Sequence, residues 1–148
     1  MTIAEILEKE GEITYRTKGT SMEPMLRENR DVVVIRKKGN DRAAKHDVVL
    51  YTRPNLNDYV LHRVIAVEKD GYTMMGDHQY VKERHVPESA VLGILTSYIR
   101  DGKEIPATDP EYLRYVRSLT DSSAIRYVKL FARRAVSKIR RTFKKDGK

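Results

Sequence analysis

A serine, a histidine and an aspartate follow one another along this chain in settings suited to nucleophilic catalysis. Ser21 lies in the loop Gly19-Thr20-Ser21-Met22-Glu23-Pro24, opened by glycine and closed by proline, just ahead of the apolar run Val32-Val33-Val34-Ile35. A neutral serine hydroxyl is a weak nucleophile and needs a nearby base to take its proton. His62, 41 residues further on in Tyr59-Val60-Leu61-His62-Arg63-Val64-Ile65, is the candidate base. Alternation along a strand gives His62 the same face as Val60, Val64 and Ala66, and turns Leu61, Arg63 and Ile65 to the other. An apolar face disfavours the imidazolium, so the ring is expected to have a lowered pKa and to stay a neutral proton acceptor near neutral pH. Asp77, in Met75-Gly76-Asp77, supplies a carboxylate able to orient that ring through its second nitrogen.

Other chemistries find little support. His46, His62, His78 and His85 show no recurring ligand spacing, and a chain without cysteine has neither disulfides nor thiolate zinc sites, so no metal and no cofactor is expected. Lys18 precedes Ser21 by three residues and is a conceivable lysine base, but it shares the serine's own loop. No GxxxxGK[ST] phosphate loop occurs, and the aromatics are too scattered to make a base-stacking platform.

The elements that must position these residues read as a mainly β body followed by helices. Thr2 and Glu5 have capping-box spacing ahead of Ile6 and Leu7, which predicts a short helix from Thr2 to Glu10 ended by Gly11. Six β-branched or aromatic runs follow, at 13–17, 31–36, 47–53, 59–68, 72–75 and 91–99, separated by turn clusters such as Lys69-Asp70-Gly71. Short strands with tight connections predict a coiled or barrel-like sheet. From Asp109-Pro110 the period becomes helical. After Thr120-Asp121-Ser122-Ser123 the residues Ile125, Val128, Ala132, Val136, Ile139 and Phe143 make one apolar stripe. The division expected is a β domain over 1–105 and a helical, basic, amphipathic tail over 106–148.

The three segments, in this order, resemble the catalytic boxes of the signal peptidase I clan. The likeness is to the branch of the endoplasmic reticulum, archaea and some Gram-positive bacteria, in which histidine replaces the usual lysine base. It spans roughly Lys18 to Leu95. The resemblance implies a serine endopeptidase of that coiled β fold, with Ser21 as acylating nucleophile, its own N–H in the oxyanion hole, and Met22 and Pro24 shaping the loop. Some members add a hydroxyl two residues before the nucleophile, where this chain has Gly19, so the second donor is expected from a backbone N–H or from Thr20. Histidine-type members carry a further acid about six residues after the Gly-Asp pair, here Glu83, which makes it the alternative to Asp77. The family motif ahead of Val48-Val49-Leu50 usually has glycine where this chain has His46. The substrate class implied is an extended leader or signal-like peptide. The likeness extends to self-cleaving SOS-type repressors, whose base is a lysine, and a peptide-binding module that has lost turnover is the non-catalytic alternative.

The net charge of +8 is unevenly spread. From Arg126 onward ten Lys or Arg face one acid, Asp146, a balance of +9 that leaves −1 for residues 1–125. An anionic partner is therefore to be sought at the tail, whose apolar stripe can pack on its own domain, dock to a partner or lie on an anionic membrane surface, with nucleic acid the least favoured. No window has the apolar length of a secretory signal or a membrane span, so a cytoplasmic or peripheral location is expected.

Overall fold

The computed structural model describes residues 1–53, 55–56 and 58–145, without the side chains of 142–145. Helix α1 (Ile3–Glu10) starts at Thr2, whose hydroxyl accepts the Glu5 N–H at 3.2 Å while the Glu5 carboxylate accepts the Thr2 N–H at 2.6 Å. This reciprocal cap satisfies two otherwise orphaned donors. The chain then leaves the helix through Gly11 in the left-handed region. Strands β1 (Glu12–Arg16), β2 (Asp31–Lys37), β3 (Val48–Arg53), β4 (Asp58–Glu68), β5 (Gly71–Met75) and β7 (Val91–Arg100) answer the six runs to within one residue at each end. Two more strands, β6 (Glu83–Pro87) and β8 (Lys103–Pro106), have no such signature. β6 buries only Val86, and β8 buries nothing. Pairing with β5 and β7 makes them strands, the latter through the Asp101-Gly102 turn, where both residues are left-handed.

The eight strands form one antiparallel sheet in the order β1-β2-β7-β3-β4-β5-β6, with β8 paired to β7, curled into a half-barrel. Both faces are covered. On one, Val33, Ile35, Val48, Leu50 and Leu95 meet Leu7 of α1, and Met22, Met25 and Leu26 of the serine loop. Burying a side chain of this size contributes roughly 1.5 to 3 kcal/mol, so these three loop residues hold their segment as part of the core. The other face gathers Val49, Tyr51, Val60, Val64, Tyr72 and Met74.

The stretch after residue 106 divides in two. Helix α2 (Pro110–Ser118), capped by the Asp109 carboxylate, adds Tyr112 and Val116 to the first core and so belongs with the sheet. Helix α3 (Ser123–Lys145) lies outside both cores, and Arg126 is its one buried residue among the side chains described. No described helix is long and apolar enough to cross a membrane.

Candidate active site

Ser21 is fixed from three directions. Gly19, left-handed at φ 77°, opens the turn, and its N–H donates to Glu28 Oε2 at 3.1 Å. Behind the serine, Met22 and Leu26 enter the core, with the Leu26 N–H donating to the Met22 carbonyl. From β5 comes the third support. The His78 N–H donates to the Ser21 carbonyl at 2.8 Å, and Gly76 packs so closely that a Cβ there would lie 2.5 Å from that same oxygen. A side chain at position 76 would push the serine loop away. The loop's far end is tied by Asp31, fully buried, which accepts from Arg30, Arg100 and the Arg27 N–H, while both arginines also reach the Met25 carbonyl.

His62 is buried on β4, 2% exposed. Burial, with a smaller contribution from the nearby Arg53 charge, lowers its pKa from 6.5 to about 4, against the opposing pull of Glu83 and Asp77, so the ring is neutral near neutral pH. Its Nδ1 lies 3.1 Å from the Tyr51 hydroxyl and 3.4 Å from Glu83 Oε1. Tyr51 also hydrogen-bonds Glu83. Burial tends to raise the Glu83 pKa, but hydrogen bonds from Arg53 and Tyr51 outweigh it and keep the carboxylate ionised. With its proton on Nδ1, directed at the Tyr51 oxygen or at Glu83 Oε1, the ring leaves Nε2 with its lone pair; with the proton on Nε2, the Tyr51 hydroxyl would donate to Nδ1 instead. Nε2 has no protein partner among the described residues.

Asp77 was expected to orient His62, and the structure puts it elsewhere. Its carboxylate receives a two-pronged contact from Arg63, Nε to Oδ1 at 2.8 Å and Nη2 to Oδ2 at 2.7 Å, and a third bond from the Tyr115 hydroxyl at 3.0 Å. Arg63 is completed by the His46 carbonyl and the Tyr112 hydroxyl. Register explains the change of partner. Arg63 pairs with Met75, and Asp77, two residues beyond, falls on the Arg63 side of β4. Glu83 pairs with Met74, which pairs with Val64, and Val64 shares the His62 face. The acid beside the imidazole is Glu83. His46, at the position where the resembling motif usually has glycine, is left-handed at φ 76°, a conformation that favours glycine.

Ser21 and His62 line one cleft of about 630 Å³, walled by Tyr15, Thr17, Leu61 and Gln79 among others. No hydrogen bond joins the Ser21 hydroxyl to His62 among the described residues, although both residues line this space. The Ser21 N–H likewise donates to no protein group among them and is available to a bound oxyanion. Thr20 is exposed, its carbonyl accepting from the Glu23 N–H. Pro24 and Lys18 are exposed as well, Lys18 at the cleft's edge. Thr17 Oγ1 is buried in the wall without a partner among the described residues, so a ligand entering the cleft would meet a ready hydrogen-bonding group. No group of three or more His, Asp or Glu is placed to hold a metal ion among the described residues.

Tyr51, Arg53 and the Arg63–Asp77 pair were not singled out from the sequence. Alternation with Val49 gives Tyr51 the His62 face, but its place beside His62 depends on β3–β4 pairing, in which Val49 faces His62 and Tyr51 faces Val60. No protein-family model and no curated protein matches this chain.

Proposed function

We propose that this protein is a serine endopeptidase, similar to the histidine-type signal peptidases, that cleaves an extended peptide with Ser21 as nucleophile and His62 as general base. The observation that carries the reading is that Ser21 and a neutral, oriented imidazole line the same cleft. In the reaction, Ser21 Oγ bonds to the scissile carbonyl carbon as His62 Nε2 takes its proton. The oxyanion accepts from the Ser21 N–H. Collapse of the tetrahedral intermediate breaks the C–N bond, and His62 returns the proton to the leaving amine. Water, activated by the same imidazole, then hydrolyses the acyl ester. Glu83, through Tyr51 and directly, stabilises the transient imidazolium. β1 is an edge strand of the sheet, and Tyr15 to Lys18 run along the cleft, so an extended leader or signal-like peptide could bind by adding to that edge.

A peptide-binding module on the same fold is favoured by one observation, the missing hydrogen bond between Ser21 and His62. Catalytic contacts often tighten only when substrate binds. Labelling with a fluorophosphonate separates the readings. The peptidase is expected to be modified at Ser21, not at all in Ser21→Ala and much more slowly in His62→Ala. A protein that stays unlabelled while still binding peptide is a binding module.

A further inference from the structure

We infer that α3 is a docking helix whose apolar stripe inserts into an anionic lipid surface while another side holds it to the β domain. A helix that stabilises its own domain turns its apolar stripe inward. Here the orientation is reversed. Ile125, Val128, Val136 and Ile139 are 49, 64, 50 and 55% exposed, and Phe131 beside them is 64% exposed. Phe143 continues the spacing in the sequence, although its side chain lies outside the described residues.

What ties the helix to the domain is led by one polar side chain. Arg126 is buried and donates to the carbonyls of Thr120 and Gly76, at 2.6 and 2.7 Å, and to that of Gln79. Leu130 and Arg133 line the same small pocket as Asp77 and Tyr115. At about 100° per residue these three positions centre roughly 120° around the helix from the stripe, so the helix is attached along one side and presents the stripe on another. The exposed apolar surface also continues onto the domain. Tyr127 meets Tyr80 edge-on at 5.0 Å and stacks with Phe131 at 6.4 Å, and Val81 next to Tyr80 is exposed. Contiguous exposed apolar surface of this kind marks an interaction site.

Charge selects the occupant. No Asp or Glu occurs between Asp121 and Asp146, and Lys129, Arg133, Arg134, Arg140 and Arg141 fall within that interval. A symmetric contact with a second copy would set one strongly cationic helix against another, while residues 1–125 carry a balance of only −1. Nucleic acid would leave the stripe in water. An anionic bilayer satisfies both halves, with the stripe among the acyl chains and the cations at the headgroups.

The test is co-sedimentation of the full chain with vesicles of phosphatidylcholine alone and of phosphatidylcholine mixed with phosphatidylglycerol, at low and high salt, alongside size-exclusion chromatography without lipid. Binding is expected to the anionic vesicles, to weaken as salt rises, and to fall about tenfold or more in Val128→Glu/Phe131→Glu, whose melting temperature should match the parent because both side chains are exposed. Arg134→Glu/Arg141→Glu should erase the preference for anionic over neutral lipid. Equal binding to both vesicle types, or binding to neither, overturns the inference. So does a dimer in the absence of lipid that the stripe variant abolishes, or a stripe variant that melts far below the parent. Ser21→Ala should bind vesicles as the parent does, so this result stands or falls independently of the peptidase reading.

Discussion

At the scale of single residues, the two acids have separate tasks. Asp77 neutralises the fully buried Arg63, and removing one partner of a buried ion pair leaves the other charge uncompensated, typically at a cost of about 3 to 5 kcal/mol. Glu83 is partly exposed, is held by Arg53, and reaches His62 both directly and through Tyr51. Asp77→Asn is therefore expected to lower the urea midpoint strongly, with activity lost in step with folding. Glu83→Gln should leave the midpoint near the parent value yet cut kcat by about 10²- to 10⁴-fold, because the imidazolium loses its counter-charge. Measuring kcat and urea midpoint on the same preparations tests the assignment. A stable but inactive Asp77→Asn beside a fully active Glu83→Gln would return the orienting role to Asp77.

At the scale of elements, the Ser21 loop is placed by β5 as much as by its own sequence. Gly76 allows the turn after β5 to touch the Ser21 carbonyl, and the His78 N–H bonds that oxygen. In Gly76→Ala the new methyl group would need the 2.5 Å gap to a backbone atom to open, and overpacking of this kind costs about 1 to 3 kcal/mol. The expected outcome is a folded protein with a modestly lower melting temperature and a much larger loss of peptide cleavage or fluorophosphonate labelling, since a shift of about 1 Å at a catalytic group can cost about 10²-fold. Labelling at the parent rate would show that the loop does not depend on this contact.

At the scale of the whole molecule, stability should depend on pH in two stages. His62 has a folded pKa of about 4 against 6.5 when unperturbed, so between these values the unfolded chain binds a proton that the native state refuses. Stability is then fully present above the unfolded value and is lost as pH falls toward the folded one, by up to about 3 kcal/mol. Asp31, Glu83 and Glu88 are held below their ordinary values, against the burial that would raise them, by Arg100 and Arg30, by Arg53 and Tyr51, and by Lys38 with Tyr72 and Arg42 respectively. Their share is lost only further into acid, as pH falls through their lowered folded values. Urea unfolding across this range should show a shallow decline below the histidine's unperturbed pKa and a steeper one in the carboxylate range. His62→Gln should remove the first and keep the second. A parent protein with no decline until the carboxylate range would show that His62 is not buried as a neutral ring.

By itself the sequence determined what local rules control. Thr2, Glu5 and Gly11 bounded α1, and β-branched or aromatic runs between turn clusters marked six strands, because caps and local propensity act over a few neighbours. It also isolated Ser21 and His62, whose settings are local, and separated His62 from Arg63 by alternation alone. Tertiary structure decided what depends on register. Whether Asp77 or Glu83 meets the imidazole turned on β5–β6 pairing, and β6, with one buried residue, has no pattern of its own to announce it. Tyr51 reaches His62 through β3–β4 pairing, a contact between strands that no short motif dictates. The two parts of the tail were likewise parted by contact rather than by pattern. Both helices are amphipathic, but α2 turns its Tyr112 and Val116 into the core, whereas Arg126, whose Nε and Nη1 donate to the carbonyls of Thr120, Gly76 and Gln79, seats α3 with its apolar face outward.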